Sequence, residues 1–254
     1  MLSPRPRVAI VGTRAPTPYG TAQAERFASA FARTGACVVS GLARGIDSAA
    51  HEAALAVGGS TVAVLACGVD RPWPTGALAD AMGDRGLLFS EFEPGTPPSK
   101  SRFPLRNRLI AGLCSAVVVI EAAYRSGSLI TARWAADQGQ EVWALPGRVD
   151  QPMARGCHRL LREGARLAES PEEVLESLGL ETAADEPSET TVGHASHPLI
   201  EALIGETPSA EQLAQAVDWP LPRVLAELAR LELEGRLARA PGGLYRALPP
   251  PQDG

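Results

Sequence analysis

The first 150 residues alternate between two kinds of stretch. Six short runs are almost continuously apolar: "RVAIVGT" (7–13), "ACVVSG" (36–41), "STVAVLAC" (60–67), "LLFSEF" (87–92), "SAVVVIEA" (115–122) and "EVWALPG" (141–147). Unbroken runs of this length, rich in Val and Ile, predict strands covered on both faces, as in a parallel sheet. Between them lie amphipathic stretches such as "TAQAERFASAFARTG" (21–35), "DSAAHEAALAVGG" (47–59) and "SLITARWAADQG" (128–139). Each closes on glycine, a usual helix stop. The alternation predicts an α/β domain with a doubly wound parallel, Rossmann-like sheet.

After one short helix at 171–178 the apolar pattern fades. Residues 179–196 are acidic and rich in Ser, Thr and Pro, which predicts a flexible acidic linker. The pattern recovers at His197. "PLIEALI", "SAEQLAQAV" and "PRVLAELARLELEGRL" predict three helices, the second opened by a Ser209–Gln212 capping box. Two short strands around Pro-Gly-Gly follow. Three helices and a hairpin predict a small C-terminal winged-helix domain over 197–248.

Charge sharpens this division. The chain carries a formal net charge of -5. Residues 1–170 hold 19 basic and 14 acidic residues, whereas 171–195 hold 7 acidic residues and no basic one. Residues 196–254 hold 5 basic and 8 acidic residues. The acidic average therefore hides a basic first domain. The four cysteines lack any CxxC spacing and read as small hydrophobes of a reducing compartment. No metal site and no cofactor is expected. The N-terminal apolar run is short and meets a glycine turn at once, so it reads as a first strand, not a signal peptide.

In an open parallel sheet, ligands bind beyond the carboxyl ends of the strands. Every predicted strand exit carries a basic residue: Arg14, Arg44, Arg71, the segment Lys100–Arg108, Arg125 and Arg148. Glycines at 12, 41, 45 and 127 allow close backbone approach, and helix N-termini present free N–H groups to anions. Ser40, Ser126, Ser128 and Thr131 add hydroxyls. This rim is suited to phosphate. The dinucleotide fingerprint GxGxxG and the phosphate loop GxxxxGK[ST] are both missing. Asp47 reads as a helix cap or, with Glu91, Glu93 and Glu121, as an anchor for arginines, and His51 as a packed or surface histidine. No nucleophile–base pair stands out.

The densest basic cluster, "KSRFPLRNR" (100–108), encloses one aromatic residue. Phe103 beside Pro104 has two readings. It is either a core residue beside Pro104, or a platform on which a base of single-stranded nucleic acid stacks while cations track the phosphates, with Pro104 and Leu105 as the core pieces that hold the ring outward. Arg106 and Asn107 are expected to open the next helix and meet those phosphates.

The segments "VAIVGTRAPTPYG", "VVSGLARGIDSAAHEAAL", "TVAVLACGVDRPWP", "LFSEFEPGTPPSKSRFPLRNRLIAGL", "VVVIEAAYRSGSLITARWAADQGQEVWALPG" and "GCHRLLREGA" together closely resemble the DprA family, also called Smf, over about 7–170. "SGLARGID" combined with "FPLRNR" and "SGSLIT" is highly specific. The resemblance implies a mediator that binds incoming single-stranded DNA in natural transformation, protects it, and helps load the RecA recombinase. It also implies a homodimer formed through the Rossmann domain, a cytoplasmic location and no catalytic activity. Family members often carry an N-terminal SAM-like helical domain, which is expected to be either missing here or removed, because the sequence opens at the first strand. Carried residue by residue, the resemblance assigns DNA contacts to Gly12, Arg14, Ser40, Gly41, Arg44, Gly45, Lys100, Phe103, Arg106, Asn107, Arg108, Gly127, Ser128 and Thr131. DNA binding is thus expected in residues 1–178.

Two other classes stay open at this point. A nucleoside-monophosphate phosphoribohydrolase would use a "PGGxGT" loop, and the loop here reads "YRSGSLIT". A Rossmann-like nucleotide sensor would use the winged helix as its output.

Overall fold

A computed structural model of the chain describes residues 6–180, 197–203, 208–240 and 243–248. They fall into two units, Met1–Ala184 and Asp185–Gly254. Most of the expected linker, 181–196, lies outside the described residues.

The first unit is built on a seven-stranded sheet. Its strands are β1 (Arg7–Val11), β2 (Cys37–Ser40), β3 (Thr61–Val64), β4 (Leu87–Phe89), β5 (Ala116–Val119), β6 (Glu141–Ala144) and β7 (Arg166–Leu167). Their order is β4-β3-β2-β1-β5-β6-β7, and every pairing is parallel. β1 sits at the middle, with Val8 opposite Val38 on one side and Ala116 on the other. Strand order reverses between β1 and β5, so a crevice opens there at the carboxyl edge.

The connecting helices are α1 (Pro18–Arg33), α2 (Ile46–Ala56), α3 (Ala77–Arg85), α4 (Arg102–Leu113), α5 (Ser128–Asp137), α6 (Arg155–Arg162) and α7 (Pro171–Ser177). One core layer packs α1, α2 and α7 on the sheet through Phe27, Phe31, Ile46, Val174 and Leu175. The opposite layer packs α4, α5 and α6 through Ile110, Ala111, Ala132, Ala135, Cys157 and Leu160. Val8 and Ile10 face the first layer, Ala9 and Val11 the second. Burial on both faces is why the strands read as unbroken apolar runs. Thr17 caps α1, accepting from the Gly20 N–H at 3.1 Å, with Pro18 in the first turn. All four cysteines are free, and burial raises each thiol: Cys37 to about 11, Cys157 to about 12, with Cys67 and Cys114 also raised.

Four elements differ from the pattern reading. β4 stops at Phe89, three residues before the end of its apolar run. α4 begins at Arg102, so most of the basic cluster is helix and not loop. β7 and α6 had no apolar run to announce them, since β7 is two exposed residues and α6 is half basic.

The second unit packs α8 (Pro198–Glu201), α9 (Ala210–Ala216) and α10 (Leu221–Leu233) against an antiparallel pair, β8 (Leu237–Ala240) and β9 (Leu244–Ala247). Leu199, Leu213, Val224, Leu228, Leu231 and Tyr245 form its core. The Ser209–Gln212 capping box is present in both directions, at 3.3 and 2.8 Å. This is the expected winged helix. Its turn residues Pro241 and Gly242 lie outside the described residues. No helix among the described residues is long and apolar enough to cross a membrane.

Phe31 is fully buried and meets Phe27 edge to face at 5.9 Å between ring centroids. Phe31→Ala should destabilise the first unit by about 3–5 kcal/mol. Urea unfolding checks this, and a loss below about 1 kcal/mol would contradict the packing described.

Candidate nucleic-acid interface

Because all seven strands are parallel, their exits share one edge. Four segments converge beside the β1/β5 crevice. They are the β1 exit (Gly12–Thr17), the β2 exit (Gly41–Gly45), the start of α4, and the β5 exit (Glu121–Gly127).

Close packing joins the first two. The Ile46 N–H donates to the Thr13 carbonyl at 3.2 Å. Gly45 has φ +86, and a Cβ there would come within 2.5 Å of that same carbonyl oxygen. Gly12 is confined in the same way, by Ile46 and the Glu121 carbonyl. Two buried carboxylates then fix the loops. Asp47 accepts the Gly41 and Ala43 N–H groups at 3.0 and 3.4 Å. Glu121 accepts the Thr17 N–H at 2.9 Å and the Thr17 hydroxyl at 2.5 Å. Burial raises the Asp47 carboxyl; the nearby Arg106 and the two N–H bonds pull it back. Asp47 was expected to cap its helix or anchor an arginine, and Glu121 to anchor an arginine; both hold loop backbone, Asp47 with the Arg106 charge nearby. Glu91 does anchor an arginine, Arg108.

Arg106 corrects a sequence expectation. It is 3% exposed, and its Nη1 donates to the carbonyls of Gly41, at 2.8 Å, and Val64. A Cβ on Gly41 would come within 2.5 Å of the guanidinium. Burial pushes the Arg106 pKa down to about 10, against the opposing pull of Asp47. Arg106 therefore ties the β2 exit to β3 from beneath and is not presented to phosphate. Ser40 is also turned inward, donating to the Ile10 carbonyl at 2.6 Å. Ser128 and Thr131 are buried at the start of α5, where the Ser128 hydroxyl meets that of Ser126 at 2.8 Å.

The remaining predicted residues face outward. Arg14, Arg44 and Lys100 are exposed. Among the described residues these three and Arg125 make no ion pair, whereas Arg71 and Arg148 pair with Asp70 and Asp150. Phe103 is half-buried, with the Arg14 guanidinium 5.4 Å from its ring centroid. Pro104 and Leu105, expected as core pieces that hold the ring outward, are not in the core: Pro104 is exposed and Leu105 is 48% exposed. One turn further on, the Asn107 amide donates to the Gly127 carbonyl at 3.3 Å, joining α4 to the β5 exit. Gly127 itself is exposed, with open space where a Cβ would stand.

Residues 1–179 match the family model described as DNA recombination-mediator protein A, and residues 181–243 match that of the DprA winged helix domain. The chain belongs to the DprA family. It is 41% identical over 252 residues to protein Smf of Escherichia coli, covering 94% of this chain and 67% of that protein. A crystal structure of DNA processing protein A from Streptococcus pneumoniae matches with 44% identity and a TM-score of 0.63, over 68% of this chain and 61% of that one. A structure of the Helicobacter pylori DprA, described for its single-stranded DNA binding mode, matches with 33% identity and a TM-score of 0.62, over 68% of this chain and 80% of that one. The chain thus spans roughly two thirds of the length of the first two of these relatives.

Behind the family's rim lies a buried histidine that sequence reading left as packed or surface. Thr61 donates its hydroxyl to the Val38 carbonyl at 2.9 Å, so it accepts from His51 Nδ1–H at 2.7 Å. His51 Nε2 is buried without a partner. Burial, and then the Arg106 charge, lower the His51 pKa from 6.5 to about 3. The folded state therefore refuses a proton that the unfolded chain accepts. Stability contributed by neutral His51 is complete above pH 6.5 and is lost as pH falls from there towards about 3. The slope is about 1.4 kcal/mol per pH unit. His51→Gln should flatten the acid limb of the stability–pH curve, and parallel curves for variant and parent would refute the assignment. Arg106→Met should cost about 1–3 kcal/mol for each carbonyl left unpaired. Arg14→Gln should leave the urea midpoint in place. A neutral Arg106→Met variant would return Arg106 to the ligand-facing set.

Proposed function

We propose that this chain is a single-stranded DNA-binding mediator. In this reading it protects incoming DNA and helps load the RecA recombinase in natural transformation. It acts in the cytoplasm as a homodimer through the Rossmann-like domain, and it binds without catalysing. The observation that carries the reading is the carboxyl edge itself. Four cations at or near its strand exits, Arg14, Arg44, Lys100 and Arg125, are exposed and make no ion pair among the described residues, and the Phe103 ring lies against Arg14. Cations that track phosphates beside an aromatic platform are the general chemistry of single-strand binding. The description of the H. pylori relative names the same ligand.

Within this reading DNA binding belongs to residues 1–178, segment 179–196 is a linker, and 197–248 form a winged helix. The last carries 5 basic and 7 acidic residues, a balance suited to a protein contact more than to DNA. The direct DNA contacts proposed are Gly12, Arg14, Arg44, Gly45, Lys100, Phe103, Asn107 and Gly127. Ser40, Gly41, Arg106, Arg108, Ser128 and Thr131 act by shaping the loops.

A titration of oligothymidylate binding against salt tests this. Phosphate contacts from Arg14, Arg44 and Lys100 predict a log–log slope of about -2. Arg44→Gln should reduce its magnitude by about 0.7. Phe103→Ala should weaken binding by about 1–3 kcal/mol without altering the slope. Affinity indifferent both to salt and to Phe103→Ala would overturn the reading.

A further inference from the structure

The family motifs account for the rim as far as Gly127 and leave its neighbour Tyr124 unexplained. Tyr124 lies in the β5 exit, five residues past Val119, and is 55% exposed, more than any other aromatic side chain among the described residues. The Arg159 guanidinium lies 5.6 Å from its ring centroid. Arg159 also pairs with Glu163 at 2.7 Å, so part of its charge is already balanced. Arg125 comes next in the chain. Arg155, exposed at the start of α6, is one turn ahead of Arg159 on the same helix. Arg125 and Arg155 make no ion pair among the described residues.

The placement of this cluster is fixed. α6 is pressed against the β5 exit, because the Gly156 N–H donates to the Ala122 carbonyl at 2.7 Å. A Cβ on Gly156 would come within 2.7 Å of the carbonyls of both Ala122 and Ala123. The path back to Phe103 is equally short. Tyr124 lies three residues before Gly127, which bonds Asn107, and Asn107 is one helical turn beyond Phe103. That separation is on the order of 10–20 Å, a few nucleotides of an extended strand.

We propose that Tyr124, flanked by Arg125, Arg155 and Arg159, is a second stacking subsite for single-stranded nucleic acid, downstream of Phe103 on the same rim. This rests on the single-strand reading given above. A guanidinium beside the ring leaves the rest of a half-exposed phenol free for a base, and the two arginines without ion pairs supply charge for the flanking phosphates. A stretch long enough to pass both rings engages both, whereas a short one is held at Phe103 alone.

Length dependence separates the two sites. Binding of oligothymidylates from about 4 to about 16 nucleotides is measured by fluorescence anisotropy with the full chain. Phe103→Ala should weaken every length. Tyr124→Ala should leave the shortest oligomer unaffected and weaken the longest by roughly 5- to 150-fold, the range that corresponds to one stacked base. Tyr124→Phe should restore the affinity, because stacking needs the ring and not the hydroxyl. If Phe103→Ala weakens binding and Tyr124→Ala is neutral at every length, the subsite is refuted while the single-strand reading stands. If the parent protein fails to bind at all, the reading itself fails. A Tyr124→Ala variant that binds normally but changes its mass in solution would make this patch a contact between copies, and would also overturn the subsite.

Discussion

The buried guanidinium of Arg106 is the constraint on which the carboxyl edge depends. Taking an arginine out of water costs several kcal/mol unless its protons are satisfied. Here the carbonyls of Gly41 and Val64 accept from Nη1, the Asn107 amide oxygen accepts from Nε at 3.3 Å, and Asp47 supplies an opposing charge nearby. Asp47 in turn holds the Gly41 N–H. The β2 exit is therefore gripped at Gly41 from both its donor and its acceptor side. That grip explains how Leu42, a fully buried leucine, is kept at φ +58. A non-glycine residue there is strained and persists only where its surroundings overdetermine it.

With its backbone fixed in this way, the rim separates charges that build from charges that face outward. Asp47, Glu121, Arg106 and the Glu91–Arg108 pair are committed to loops and helices. Neither buried carboxylate stands free beside a nucleophile; each gives its oxygens to N–H or hydroxyl donors of a neighbouring loop. Arg14, Arg44, Lys100 and Arg125 are left in solvent around a preformed surface. A site of this kind loses little ordering entropy when a flexible strand settles on it.

The chain's overall acidity does not describe its first unit. The acidic residues concentrate after residue 170, and the arginines that matter lie at strand exits in the first unit. The winged helix is stabilised by its own core around Leu228 and Tyr245, and by its own capping box.

Much of this was legible without coordinates. Six continuous apolar runs gave the parallel sheet, because burial on both faces leaves a strand no polar alternation to show. Parallel strands with crossover helices then put every exit on one edge, which located the rim from chain order alone. The Ser209–Gln212 cap was readable because it is local. What the residues could not show was direction. "KSRFPLRNR" looked like one uniform basic cluster. Helical geometry instead turns Arg106 into the core and leaves Lys100 in solvent, while Arg108 meets Glu91 from a distant strand exit. The same holds for Ser40, whose hydroxyl faces the sheet. Whether a charge binds a ligand or builds the fold depends on which carbonyl or carboxylate lies within 3 Å. Those partners come from residues 17 to 65 positions away, brought near only by the tertiary fold.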